Sequence, residues 1–334
     1  MLDEHFSKVG VYGKGRALNA HGAPCLHANW PQPQSMRIGI DLGGTKIEGI
    51  VLADGGEIVA RQRVATPPEY VATVDALVEL VAELERRMGE RGSVGIGIPG
   101  AATPQGVIKN ANSTWLIGQA LGADLERRLR RPVRLKNDAN CFAISEAADG
   151  AGAGADVVFG VILGTGVGGG IVVGGRSLDG PNLIAGEWGH NSLPWISAEE
   201  LPGPRCYCGR RGCIETFVSG TGLERDYREA NGAALTSEAI ASNAVRGDGL
   251  AVAAMERYND RLARALASVI NVLDPDVIVL GGGMSNVAGL SETVVPLLSR
   301  YVFSDSVVTR LVRNKHGDSS GVRGAAWLWG VGES

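Results

Sequence analysis

Three thiols fall within eight residues, at Cys206, Cys208 and Cys213, with Gly209 and Gly212 between them. His190 lies 16 residues before the first of them. Three thiolates and an imidazole make a closed tetrahedral set, the kind that holds structural Zn²⁺ and leaves no open position for catalysis. The alternative is a group of reduced thiols without metal, and a redox pair is disfavoured because the Cys-x-x-Cys spacing is absent. Glu187 and Glu215 bracket the cluster, so folding it would hold both carboxylates rigidly. A second chemistry is written at Lys136-Asn137-Asp138-Ala139-Asn140, which reads as a strand end opening a helix. An Asp at a helix start is most often only a cap. Here it stands between two amides, and Asn110-Ala-Asn112 upstream is also amide-rich, a composition suited to a polyol. A carboxylate in that place can take a proton from a sugar hydroxyl while a phosphoryl group is transferred to it.

Glycine is the other signal. The chain has 334 residues, 49 of them Gly, roughly twice ordinary usage. Turns with consecutive Gly let backbone N–H groups converge on one concavity and hold phosphate oxygens. Asp41-Leu-Gly43-Gly44-Thr45-Lys46 supplies such donors with a hydroxyl, a cation and a carboxylate. Asp41 suits Mg²⁺, directly or through water. Gly164-Thr165-Gly166-Val-Gly168 and the Gly169-Gly170 that follow offer a second nest, and Gly281-Gly282-Gly283 a third backbone surface, for a base or ribose. Each alone is better read as a tight hairpin; three together point to a nucleotide. No Gly-x4-Gly-Lys-Ser/Thr loop occurs. The Gly-x-Gly-x-x-Gly matches at Gly164/Gly166/Gly169 and Gly95/Gly97/Gly100 do not open helices, so a dinucleotide fold is disfavoured.

The elements that must position these residues alternate between strand and helix. Strands are expected over 37–41, 47–53, 57–65, 94–98, 132–136, 157–163, 170–173 and 276–280. Helices are expected over 69–90, 119–130, 139–149, 250–273 and 319–330. Val71, Val74, Val78, Val81, Leu84 and Met88 mark one buried face of the first helix. Gly39–Leu52 overlays Gly160–Val173 at an offset of 121 residues without a gap, with six of 14 positions identical. Both copies read strand, Gly turn, strand, which predicts an α/β duplication of two lobes facing across a cleft. Residues 1–35 show neither period; Met36 reads as the start of the fold, and the segment before it as disordered or an extension. Its Cys25, His21 and His27 are too loosely spaced for a metal site. The formal charge of −4 and the absence of a basic run argue against nucleic acid or an anionic membrane. No apolar stretch is long enough to span a bilayer, and a cytoplasmic location is expected.

The motifs resemble those of the ROK family (repressors, open reading frames and kinases), within the actin-like/hexokinase ATPase superfamily. The resemblance rests on Asp41-Leu-Gly-Gly-Thr-Lys46, Pro99-Gly100, Asn137-Asp138-Ala-Asn140, Gly164-Thr-Gly166, Glu187-Trp-Gly-His190, Cys206-x-Cys208-Gly-x-x-Gly-Cys213-x-Glu215 and Gly281-Gly-Gly283, in that order. Lys109-Asn-Ala-Asn-Ser-Thr-Trp115, Cys213-Ile-Glu-Thr-Phe217 and Lys315–Trp327 look like the bacterial fructokinase (manno(fructo)kinase) branch. The resemblance implies a two-lobed ribonuclease H-like duplication. Residues 36–140 with 318–334 would form a small lobe and 141–317 a large lobe, with a zinc knuckle over 190–213. It implies ATP- and Mg²⁺-dependent transfer to the 6-hydroxyl of fructose, with mannose or glucose as further acceptors, Asp138 as base, and a homodimer. Asn112, Asn137, Asp138, Glu187, His190 and Glu215 would contact the sugar, and His190 would also join the three thiols on Zn²⁺. A glucokinase, an N-acetylhexosamine kinase and a non-catalytic sugar-responsive regulator are the alternatives.

Overall fold

The computed structural model describes residues 36–111 and 113–330. The expected extension over 1–35 and the candidate sugar ligand Asn112 lie outside the described residues. In chain order the elements are β1 (Arg37–Leu42), β2 (Lys46–Leu52), β3 (Ile58–Ala65), α1 (Tyr70–Met88), β4 (Ser93–Ile98), β5 (Ala101–Ala102), β6 (Ile108–Lys109), α2 (Leu121–Leu129), β7 (Val133–Asn137) and α3 (Asp138–Ala148). They continue with β8 (Val157–Leu163), β9 (Val167–Val173), β10 (Arg176–Ser177), α4 (Glu215–Val218), α5 (Gly220–Asn231), α6 (Ser237–Val245), α7 (Gly249–Leu273), β11 (Val277–Gly281), α8 (Leu290–Leu298), β12 (Arg310–Arg313) and α9 (Ser320–Ala326).

Two five-stranded sheets share one topology. The first runs β3-β2-β1-β4-β7 and the second β10-β9-β8-β11-β12. In each, a three-stranded antiparallel meander is followed by two parallel strands. The duplication anticipated from the sequence is thus present, giving the two-lobed α/β fold. α9 lies on the first sheet and α3 on the second. The two helices also cross each other so closely that a Cβ on Gly324 would come within 1.6 Å of the Cys141 carbonyl oxygen.

The repeat itself needs a correction. Leu42 pairs with Ile47, leaving four residues in the first turn, whereas Leu163 pairs with Val167, leaving three in the second. Past the turn the ungapped overlay is therefore one residue out of register, and a one-residue slip moves a side chain to the other face of a sheet. Gly49 meets Leu80 and Leu84 of α1, whereas Gly170, which the overlay matches to it, meets Ala139 and Ala143 of α3. The equivalences at Gly39/Gly160, Leu42/Leu163 and Gly43/Gly164 hold; those at 49–51 do not. β9 itself begins at Val167 rather than at 170, because Val167, Gly168 and Gly169 pair with Leu163, Ile162 and Val161 of β8.

Two further boundaries differ. The buried stripe of α1 is Val74, Leu77, Leu80, Val81 and Leu84 with Thr73, while Val71 is exposed. Glu69 caps that helix, accepting from the Val71 and Ala72 N–H groups, and the left-handed Gly89 ends it. The last helix stops at Ala326, after which Trp329 Nε1 donates to the Val94 carbonyl at 2.7 Å. Glu146 is fully buried on α3 and ties it to the segment before α9. It accepts from the backbone N–H of Lys315 at 3.0 Å and from Ser320 Oγ at 2.8 Å.

Candidate active site

A cavity of about 820 Å³ lies between the end of β7 and the β8–β9 turn. Asp138, the first residue of α3, opens onto it, as do Asn137, Gly164, Thr165, Gly166, Gly168, Glu187 and His190. Burial by surrounding protein pushes the Asp138 carboxyl above the ordinary carboxylate range; the Ala139 N–H opposes this and the charge of Glu187 adds to it. Asn137 caps α3, its Oδ1 accepting from the Ala139 N–H at 2.9 Å, and its amide donates to the Gly100 carbonyl at 2.8 Å. Both ends of that side chain hold the turn that carries Asp138 in place. Gly100 must be Gly: its φ is +71°, and a Cβ would stand 2.3 Å from the Lys109 oxygen.

The β8–β9 turn forms the facing wall. Gly164 has open space where a Cβ would be, as a backbone surface for a ligand requires. Its carbonyl accepts from the Gly220 N–H at 2.8 Å, and the Thr165 carbonyl from Thr221 Oγ1 at 2.8 Å, so the start of α5 fixes the turn. Gly169 and Gly170 have another reason to be Gly. Trp188 and Gly186 press on the first, and α3 on the second. Gly186 and Gly189 lie against the β9 backbone, and between them Trp188 Nε1 donates to the Gly168 carbonyl at 3.1 Å. That close approach sets Glu187 on the cavity rim.

The remaining candidates lie elsewhere. Glu215 is absent from the cavity wall. Its Oε2 accepts from the Val167 N–H at 3.0 Å and its Oε1 faces Cys206 Sγ at 3.7 Å, so it joins the β8–β9 turn to the thiol cluster. The Gly43–Lys46 turn folds back on itself and onto β3, Gly43 N–H donating to the Lys46 carbonyl at 3.0 Å and Thr66 Oγ1 to the Gly43 carbonyl at 2.7 Å. Gly44, Thr45 and Lys46 are exposed there and do not line the cavity. Asp41 makes itself felt at the site through charge. Burial, then Asp138, then Glu48, push its carboxyl up to about 6. A buried carboxylate facing another is the donor chemistry that a hard cation such as Mg²⁺ satisfies. In the third glycine run, Gly281 is required by the Phe142 ring and Gly282, at φ +79°, by the Leu163 backbone. Only Gly283 has open space.

The thiol cluster forms as its spacing suggests. The ligand atoms of His190, Cys206, Cys208 and Cys213 all lie within 4.8 Å of one another. Cys208 Sγ is 3.6 Å from Cys213 Sγ, and Cys206 Sγ is 3.6 Å from His190 Nδ1. Tetrahedral Zn²⁺ with ordinary bond lengths puts its ligands about 3.5–3.8 Å apart, so the residues fit the metal. Gly209 and Gly212, both at positive φ, make the knuckle. Lys109, which opens one of the motif strings, also lines the cavity, as do Ile184 and Tyr207, which carried no functional signal of their own in the sequence.

With this geometry in hand, comparison with known proteins defines the class. Residues 37–331 match the ROK family, and the chain belongs to it. It is 44% identical over 299 residues to an N-acetyl-D-glucosamine kinase of Escherichia coli, covering 88% of this chain and 99% of that one. Among solved structures it resembles a ROK hexokinase from Thermus thermophilus, with a TM-score of 0.78 and 34% identity over 87% of this chain and 97% of that one. A ROK family glucokinase from Streptomyces griseus, solved with glucose and AMPPNP, gives a TM-score of 0.70 and 29% identity over 88% and 99%. No helix among the described residues is long and apolar enough to cross a membrane.

Proposed function

We propose that the protein is an ATP-dependent sugar kinase that transfers the γ-phosphoryl group to the 6-hydroxyl of N-acetyl-D-glucosamine. The observation that carries the reaction class is one cavity lined both by Asp138 and by the glycine turn 164–169. In that arrangement the Asp138 carboxylate accepts the proton of the sugar hydroxyl as its oxygen attacks the γ-phosphorus and ADP leaves. The turn would receive the phosphates through the N–H groups of Thr165 and Gly166, because those of Gly164 and Val167 donate to the Gly166 carbonyl and to Glu215, and Glu187 and Lys109 border the sugar end. Asn137 keeps Asp138 in place through the α3 cap and Gly100. Mg²⁺, held near Asp41 directly or through water, would neutralise charge on the phosphates. Zn²⁺ on His190, Cys206, Cys208 and Cys213 would be structural, and metal analysis of protein purified without chelator should find one equivalent.

The acceptor differs from the fructose expected from the longer motif strings. The relative at 44% identity and near-complete coverage is a kinase of N-acetyl-D-glucosamine, and this supports the N-acetylhexosamine reading over the fructokinase one. An ADP-release assay with N-acetyl-D-glucosamine, N-acetyl-D-mannosamine, glucose, mannose and fructose tests it. N-acetyl-D-glucosamine should give the highest kcat/KM. Fructose ahead of it would return the assignment to a fructokinase, and ATP consumption with none of the five would favour a sugar-responsive regulator.

A further inference from the structure

On the Glu187 side, the rim of the cavity is a loop over residues 178–187, between β10 and Trp188. None of its residues is buried, and Ile184 and Glu187 line the cavity. The loop is also bent against its own preference. Leu183 has φ +53°, a left-handed conformation that a bulky side chain adopts at a cost and keeps only where its surroundings impose it. Without buried side chains to impose it, the shape must come from polar links. Asp179 supplies three of them. Its carbonyl accepts from the Ala185 N–H at 3.3 Å, which closes the loop on itself. Its Oδ1 accepts from Ser177 Oγ at 3.0 Å, and its Oδ2 forms an ion pair with Lys136 Nζ. Lys136 lies on β7 of the first sheet, two residues before Asp138, whereas Asp179 follows β10 of the second. Lys109 of β6 reaches the same loop, its Nζ standing 3.5 Å from the Asn182 carbonyl. Two cations on one side of the cleft thus hold a loop of the other. Lys136 and Asp179 themselves are absent from the cavity wall.

We infer that Lys136 and Asp179 are positioning residues: their ion pair latches the 178–187 loop to the strand that leads into Asp138, and so holds Ile184 and Glu187 where the sugar needs them. This rests on the sugar-kinase reading and deepens it, because it names what fixes the sugar end of the cleft. The linkage runs from Asp138 back to Lys136, across to Asp179, and through the Ala185 N–H to Glu187. A part-exposed ion pair is a modest force, enough to bias a strained loop without locking it. When only a fraction of the molecules hold the loop in shape, the apparent affinity for sugar falls by that fraction. Once sugar is bound the loop is in place, and the chemical step proceeds as before. The latch therefore acts on KM for the sugar and leaves kcat alone.

The test is a double-mutant cycle of Lys136→Met and Asp179→Asn, each of which removes one charge at nearly constant shape. With the hexose that the parent phosphorylates best, each single variant should raise KM for the sugar about fivefold, with kcat, and KM for ATP at saturating sugar, within twofold of the parent. The double variant should match the single ones, since the same bond is lost only once. Amide hydrogen exchange over 178–187 should quicken in all three variants, a readout that needs no turnover. Single variants within twofold of the parent in KM, effects that add in the double variant, a loss confined to kcat, or a raised KM without faster exchange of the loop would each overturn the assignment and leave the kinase reading intact. If the parent phosphorylates no hexose, the kinase reading fails on its own, and the exchange rates alone decide whether the pair latches the loop.

Discussion

In the proposed reaction two carboxylates, Asp138 and Asp41, carry the chemistry of the site, and each has a measurable signature. Asp138 must be ionised to accept a proton, yet burial and Glu187 raise its pKa. kcat/KM should therefore fall as pH is lowered through a midpoint above the ordinary carboxylate range, and a pH–rate profile reads this directly. Asp138→Asn removes the base while keeping shape. We expect kcat to drop by about 10²–10⁴, with sugar affinity close to that of the parent. A variant that phosphorylates sugar like the parent would remove Asp138 from the mechanism. Asp41 shows the same physics as a stability effect. Its carboxyl sits at about 6 in the fold against 3.8 for the free group. Between those pH values the folded state keeps a proton the unfolded chain has released, so stability falls as pH rises, by roughly 3 kcal/mol in all. Asp41→Asn should then be more stable than the parent by about 1–3 kcal/mol at pH 8 and near parity at pH 4, measured by urea unfolding without Mg²⁺ or nucleotide. Parity at both pH values would show that the charge is satisfied within the protein.

At the scale of elements, the crossing of α3 and α9 is the tightest contact in the fold. Gly324 rests on the Cys141 carbonyl, and Gly39 and Gly95 of the first sheet rest on the backbone of α9. A methyl at Gly324 has no room without separating the helices. Gly324→Ala should destabilise by about 3 kcal/mol or more, read as a lower urea midpoint at constant slope, whereas Gly283→Ala, in open space, should change little. The strand–helix order and the duplication were legible because the elements are long and periodic, and because Gly marks the close approaches. What the glycines are for was less legible. Composition cannot tell a Gly that frees an N–H for phosphate from one that lets a helix touch a sheet, and Gly170, Gly281 and Gly282 are of the second kind. The one-residue difference between the two turns was hidden for a related reason. Gly occurs on both faces of these hairpins, so a slipped overlay still matched. At the site, Asp138, Glu187 and the Cys/His set were readable from motif spacing. Tyr207 was not, because its place on the cavity wall comes from where the knuckle carries it.

Across the whole molecule, the two sheets repeat one order and meet through α3 and α9, with buried Glu146 fastening α3 to the chain before α9. The cavity between them, at about 820 Å³, is at the upper end of what one small ligand fills. Its walls come from both halves: Pro99, Gly100 and Asn110 belong with the first sheet, and Gly164 to Gly169 with the second. A hexose at Asp138 and a triphosphate at the turn would each touch mainly one wall. Gly168 already lies against Ala139 where those walls meet, so what can change on binding is how far the rest of the cleft stands open. A ligand can shift such an equilibrium only by its preference for the closer arrangement, and two ligands that share the preference must help each other equally. Sugar should therefore tighten the binding of a non-transferable ATP analogue by about fivefold or more, and the analogue should tighten sugar by the same factor. Titrating each in the presence and absence of the other measures both arms. Independent binding in both directions would mean that the cavity accepts the pair without moving, and that the N–H groups of the turn reach the phosphates in the arrangement seen here.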